Sequence, residues 1–178
     1  PGGAAGVYLN SGEFFVHATD LEIPGRGFDW TFERTYRSGV EYDGPLGHNW
    51  FLNYSQHLVV VTEGNQGQVY PGFGSLAPGD VLRVDGYGRV DVYRGNVDGT
   101  YASPAGYYAI LARREDGSFA ERDRDGYIAE YAPPDGQSVS RLLSLSDRQG
   151  NTMAFQYDGE GRLVTAISVS EHCGSTEF

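Results

Sequence analysis

The chain has 178 residues, 39% of them hydrophobic and 13% aromatic, enough to bury the core of one ordinary domain and too few for two full enzyme domains. Gly and Pro make 34 of the 178 residues, below the roughly 25–30% of a low-complexity disordered chain. Thirteen Tyr, nine Phe and two Trp against one Met favour pleated sheet over a helical bundle. The formal charge is -11 and all 13 basic residues are Arg, a surface that repels phosphate backbones and anionic lipid and so argues against nucleic acid as a partner.

No apolar run approaches the roughly 18–20 residues that span a bilayer, and Pro1 to Gly6 lack both the charged start and the apolar stretch of a signal peptide. A start at Pro rather than Met predicts a processed product or an excised piece, with residues 1–11 as a leader or linker. The lone Cys173 has no second cysteine for an internal disulfide.

Leu21 and Ile23 alternate with Asp20 and Glu22, and Pro24-Gly25-Arg26-Gly27 supplies a turn before strict alternation resumes from Phe28 to Tyr36. These two segments predict a hairpin. In its second strand Phe28, Trp30, Phe32 and Tyr36 form one buried face, opposite Asp29, Thr31, Glu33 and Thr35. Arg34 interrupts the apolar side and requires a carboxylate partner or a path to the edge. The turn cluster Asp43-Gly44-Pro45-Leu46-Gly47 leads into Trp50 to Val61, one long strand or two short ones.

Shorter strands are predicted at Val81 to Val84, Val90 to Tyr93, Tyr107 to Leu111, Tyr127 to Tyr131, Leu142 to Leu145, Thr152 to Tyr157 and Leu163 to Ile167. Between them recur Asp-Gly pairs, at Asp85, Asp98, Asp116, Asp125, Asp135 and Asp158, which predict primed hairpin turns. No 3.6-residue period lasts ten positions, so no substantial helix is expected. Asp123-Arg124-Asp125-Gly126 recurs 24 residues on as Asp147-Arg148-Gln149-Gly150, with Tyr131 and Phe155 in equivalent places. One supersecondary unit is used twice.

The second unit, Asp147-Arg148-Gln149-Gly150-Asn151, then Phe155-Gln156-Tyr157-Asp158 and Gly161-Arg162-Leu163 with Ile167, resembles a YD repeat of the RHS (rearrangement hot spot) proteins. The first half is similar to the segment that opens the RHS shell: Asp20-Leu21, Ile23-Pro24-Gly25, Arg34-Thr35-Tyr36, Ser38, Gly44, Leu46-Gly47 and Trp50. Together the matches run from Gly12 to Ile167. Two departures stand out: Asn49 sits where the family often has Gly, and Glu171 to Phe178 match no repeat.

The resemblance implies an open, twisted antiparallel sheet of hairpins with little or no helix, the start of a sheet that spirals into a hollow shell. Such shells occur in bacterial polymorphic toxins, insecticidal toxin complexes and teneurins, and in bacterial members enclose a C-terminal toxin. On this pattern residues 12–120 are the shell-opening region, 121–168 about two YD-type hairpins and 169–178 a tail. Location is expected to be secreted or cell-surface. The expected partners are the rest of the shell or further copies paired edge to edge, with a toxin as possible cargo and no membrane span.

Chemistry finds little support. Most carboxylates stand beside Gly, as turns require, and the 123–126 loop lacks the Glu that closes a calcium loop. Gly25-Arg26-Gly27 lacks the third Gly and the helix of a phosphate cradle. His17, His48, His57 and His172 are scattered, and Ser38 and Ser55 lie in no nucleophile elbow. Cys173 has no cation beside it to lower its pKa. Accordingly no catalytic, cofactor-binding or metal-ligating residue is expected, and no cofactor.

Tyr is the one excess with functional potential, since exposed rings bind sugars and peptides; Tyr107-Tyr108 places adjacent rings on opposite faces. The rival readings are therefore an extracellular β-module binding glycan or a cell-surface protein, a fibre subunit self-assembling through sheet edges, and, more remotely, a hydrolase with paired carboxylates.

Overall fold

The computed structural model describes residues 2–25, 28–68 and 75–169, and they contain strands and turns with no helix. The first strand, β1 (Gly2–Val7), falls in the stretch expected as a leader and pairs antiparallel with β2 (Phe14–Ile23). Next, β3 (Trp30–Arg37) completes the expected hairpin with β2; Arg26 and Gly27 of its turn lie outside the described residues. A miniature hairpin, β4 (Asp43–Gly44) and β5 (Gly47–His48), then precedes β6 (Trp50–Leu52) and β7 (His57–Val60). Trp50 to Val61 thus divides into two short strands, of which β6 joins the first sheet in the order β1-β2-β3-β6.

One residue fixes the entry to β6. Asn49 has φ +61° and is buried, its Oδ1 accepting from the Tyr42 N–H at 3.1 Å while its own N–H donates to the Tyr42 carbonyl at 2.7 Å. Asn tolerates the left-handed region better than other residues with a Cβ, and its amide ties down the loop as Gly could not.

Strand β3 departs from the one-buried-face pattern. The most buried of its residues is Thr35, at 7% exposure, on the supposedly polar side. That face is covered because Tyr87 donates to Glu33 at 2.9 Å and Arg37 to the Gly88 carbonyl at 2.7 Å, docking a turn of the second sheet onto it. The aromatic face is only half-buried. There Arg34 meets the expected carboxylate, paired with Asp20 and lying 5.2 Å from the Trp50 ring.

The second sheet has ten strands. After β7 come β8 (Val81–Val84), β9 (Val90–Gly95), β10 (Tyr101–Ala102), β11 (Ile110–Arg113), β12 (Phe119–Arg122), β13 (Ile128–Tyr131), β14 (Val139–Ser146), β15 (Thr152–Tyr157) and β16 (Leu163–Val169). Eight run in the order β10-β9-β8-β7-β14-β13-β12-β11. The sheet curls until β10 lies beside β11, nearly closing a barrel. Tyr107 and Tyr108, expected in a strand, instead belong to the loop that crosses this seam.

Strand β14 is a fork. Its first residues, Val139 to Arg141, pair with β7, and its last, Ser144 to Ser146, pair with β15. One strand therefore leaves the barrel and starts the β15–β16 hairpin. Inside the barrel pack Leu58, Val81, Tyr93, Phe119, Tyr131 and Leu142, with Tyr54 and Phe155 closing one side at 5.2 Å between rings. Fully burying each such side chain contributes about 1.5–3 kcal/mol. Val59 and Leu82 point the other way, under Leu76.

The hairpin turns are not primed turns. Seven share one form: Asp85–Arg89, Asn96–Thr100, Arg114–Ser118, Asp123–Tyr127, Asp135–Val139, Asp147–Asn151 and Asp158–Arg162. In each, the first residue's N–H donates to the fifth's carbonyl and the fourth's N–H donates back to the first's carbonyl. The fourth residue alone is left-handed, Gly in six and Ser138 in one. This is a three-residue loop, a type I turn closed by a left-handed residue. The Asp matters through its side chain: Asp123 Oδ1, for example, accepts the N–H groups of Asp125 and Tyr127, both at 2.9 Å, as an Asx turn does.

Candidate functional site

The polar centre of the molecule is one the composition did not disclose. Alternation on β12 points Phe119 and Glu121 into the barrel, so a carboxylate enters the core. It does not stand alone. Glu121 accepts from Tyr93 Oη on β9 at 2.6 Å, Tyr131 Oη on β13 at 3.0 Å and Arg83 Nε on β8 at 2.9 Å. Gln56, just before β7, donates to the Tyr131 hydroxyl and accepts from Arg83 Nη2 at 3.2 Å. Arg83 and Arg89 both lie over the Tyr107 ring, at 5.1 and 5.4 Å, and Asp91 takes Arg89 on Oδ1 at 2.8 Å. The other oxygen, Asp91 Oδ2, is buried without a hydrogen-bond partner among the described residues, 4.0 Å from Arg83 Nη1.

The electrostatics follow from burial and pairing. Burial disfavours the Arg83 charge, and the carboxylate of Glu121 more than restores it, holding the guanidinium above its usual range. Burial first, then the Glu121 charge, pushes the hydroxyls of Tyr93, Tyr107 and Tyr131 well above the ordinary phenol value. Three donors converge on the two oxygens of Glu121. The arrangement is a tie across the lumen between strands second and seventh in the barrel order.

That tie explains how the seam closes. No backbone ladder joins β10 to β11; side chains do it, with Tyr93 and Tyr107 rings edge to face at 6.3 Å and Tyr101 and Phe119 at 6.1 Å.

The residues singled out from sequence fall elsewhere. His17 meets Thr35 Oγ1 at 3.0 Å, His48 is exposed on the β4–β5 hairpin, and His57 Nδ1 donates to the Ser55 carbonyl at 2.8 Å. His172 and Cys173 lie outside the described residues. Asp123 and Asp125 form a turn with each other rather than a cation loop. Among the described residues no three His, Cys, Asp or Glu side chains assemble a metal site. The buried acids Asp80, Asp91 and Glu121 each face an Arg, not one another. Tyr108 is 71% exposed while Tyr107 turns inward. Phe14, Tyr36 and Trp50 line up on the first sheet, but their planes tilt by 55° and 54°, a herringbone rather than a flat platform for a sugar.

No helix among the described residues is long and apolar enough to cross a membrane. A family model described as a domain of unknown function, DUF6531, matches residues 5–72, the span of the first sheet, the small hairpin and β7. The chain is also 27% identical, over 158 residues, to two proteins of Dickeya dadantii (strain 3937) named "Probable deoxyribonuclease RhsB" and "Probable deoxyribonuclease RhsA". Each alignment covers 88% of this chain and only 10% of the relative. The chain is similar to these two Rhs proteins over most of its own length, and it spans about a tenth of theirs.

Proposed function

We propose that this chain is a non-enzymatic wall segment that opens an Rhs-type β-shell, in which further strands continue the sheet from its free edges. The observation that carries this reading is where charge is missing. In a chain with 37 charged residues, none occurs from Gly2 to Gly12 or from Leu163 to Ser170. Those stretches contain the first and last strands in the chain, β1 and β16, each with one edge unpaired among the described residues. Solvent-facing edges are ordinarily defended with Lys, Pro or inward charges, and an undefended edge is a template for pairing.

Two further features support the same role. The fork at β14 hands the sheet from a nearly closed barrel to a hairpin free to be extended. Glu121 is engaged by three donors from neighbouring strands, which supports a structural rather than a catalytic use of that carboxylate. The nuclease activity in the relatives' names is not carried to this tenth of their length; the cargo of such a shell, and its secreted or surface location, belong to the proposal. A glycan-binding module is less well supported, since the planes of the aligned rings are tilted against one another.

Light scattering across concentration tests the reading. The isolated chain is expected to associate despite its charge, and Val164→Lys with Ile167→Lys on the exposed side of β16 is expected to restore a monomer. A wild-type chain that stays monomeric up to millimolar concentration would sink the proposal.

A further inference from the structure

Where β14 exchanges β7 for β15, the strands separate around a cleft of about 340 Å³. Its walls include the rings of Phe32, Tyr42, Tyr54 and Tyr157, and the side chains of Arg141, His57 and Gln56 bring nitrogen to it. Although the chain has 24 carboxylates, none lines this cleft among the described residues. Small-molecule sites have this form: roughly 300–1,000 Å³, mostly apolar, with a few fixed polar groups.

The polar groups are held in place by neighbours. Arg141 Nη1 is gripped by Asp135 at 2.6 Å and Nε by the Gly161 carbonyl at 3.2 Å, leaving Nη2 without a partner among the described residues. A Cβ on Gly161 would fall 2.2 Å from Nη2, so that glycine makes room for the guanidinium. With Nδ1 donating to the Ser55 carbonyl, His57 Nε2 has no hydrogen-bond partner among the described residues.

We propose that this cleft binds a small organic anion with a planar apolar body, a carboxylate on a short chain from an aromatic ring, its charge on Arg141 and its ring between the tyrosines. The complementarity is electrostatic as much as apolar, because Asp135 engages Nη1 from outside the cleft and leaves Nη2 to meet a ligand carboxylate, with no acid in the lining itself. The charged and titratable groups facing His57 are Arg141 on β14, with Asp135 behind it, and the hydroxyls of Tyr42, Tyr54 and Tyr157; Gln56 and Val84 beside it are neutral. Burial, partly offset by the Ser55 carbonyl, and the Arg141 charge keep the imidazole below its ordinary value. An anion on Arg141 cancels that charge, so binding is coupled to proton uptake at His57.

Calorimetric titration with 3-phenylpropionate and with its uncharged counterpart 3-phenylpropanol tests the proposal. The acid is expected to bind one to one and at least tenfold tighter than the alcohol. Arg141→Gln is expected to bring the acid down to the level of the alcohol. Binding of the acid should tighten several-fold from about pH 7.5 to about pH 5.5, and lose that dependence in His57→Gln. Equal binding of acid and alcohol, or no binding of either, overturns the proposal using the wild-type protein alone. These outcomes do not bear on the shell reading, which rests on the sheet edges.

Discussion

Removing the carboxylate at the centre of the barrel probes the tie directly. In Glu121→Leu, Tyr93 and Arg83 lose their Glu121 bonds outright, and Tyr131 keeps only Gln56. Arg83 would then keep the Gln56 carbonyl on Nη2 and, as its one carboxylate, Asp91 at 4.0 Å. Breaking a buried pair from one side costs about 3–5 kcal/mol, because the orphaned charge cannot be rehydrated, and an unpaired buried hydroxyl adds about 1–3 kcal/mol. These losses share partners and do not sum, so about 3–5 kcal/mol is expected. For a domain of this size that is about 2–4 °C per kcal/mol, a fall of about 6–20 °C. Thermal melts followed by near-ultraviolet circular dichroism measure it. Arg83→Met alone should cost a similar amount, and the double variant less than the two together, with a coupling of at least about 2 kcal/mol. Single losses below about 1 kcal/mol, or strictly additive ones, would refute the tie as the element that holds the barrel shut.

Three further outcomes follow from the turns and the titratable groups. Ser138→Gly should stabilise the fold by about 0.5–1 kcal/mol, since Ser138 occupies a left-handed position with φ +65° that its six counterparts fill with Gly; an unchanged urea midpoint counts against this. The converse, Gly126→Ala, should destabilise by at least about 1 kcal/mol, because its new Cβ lies 2.5 Å from Arg148 Cγ and φ is +88°. On the acid side, hydrogen bonds from Asn151 hold Asp147 below the usual carboxylate range, and hydrogen bonds from Arg162 do the same for Asp158. Backbone N–H groups and Arg141 outweigh burial at Asp135. Folded values below unfolded ones mean a contribution present above about pH 4 and lost as pH falls through the folded values. The melting temperature should therefore drop below about pH 4, less so in Asp135→Asn. On the alkaline side, burial raises Tyr157 to about 12 and Tyr93 and Tyr131 further. Their stabilisation is present below about pH 10 and lost above it, so tyrosinate absorbance from these rings should appear together with unfolding.

Much of the strand order was legible because it is written in period-two alternation. The β2–β3 hairpin, β8 and β15 sit where their alternating residues place them, and the pairing of Arg34 with Asp20 followed from a cation on an apolar face. β1 escaped because Gly-Gly-Ala-Ala-Gly has no pattern to read; it is held by its ladder to β2. β12 escaped because Glu121 reads as solvent-facing, and its partner Arg83 lies 38 residues earlier in the chain. In Asp98-Gly99, Asp116-Gly117 and Asp125-Gly126 the Gly beside the Asp is the left-handed fourth residue, whereas in Asp85-Gly86, Asp135-Gly136 and Asp158-Gly159 the Asp opens the turn and the left-handed residue comes three positions later. Nor could the fork be foreseen, since nothing local in β14 says that its two halves have different neighbours.

The central claim is that β1 and β16 are strands whose free edges are built to be paired. Amide hydrogen exchange, read residue by residue while the chain is diluted from its associated to its monomeric state, tests it most directly. The expected result is slow exchange within Gly2–Val7 and Leu163–Val169 in the associated state that vanishes on dilution, with the barrel strands unchanged. Fast exchange in both strands at every concentration, or new protection only elsewhere, would contradict it.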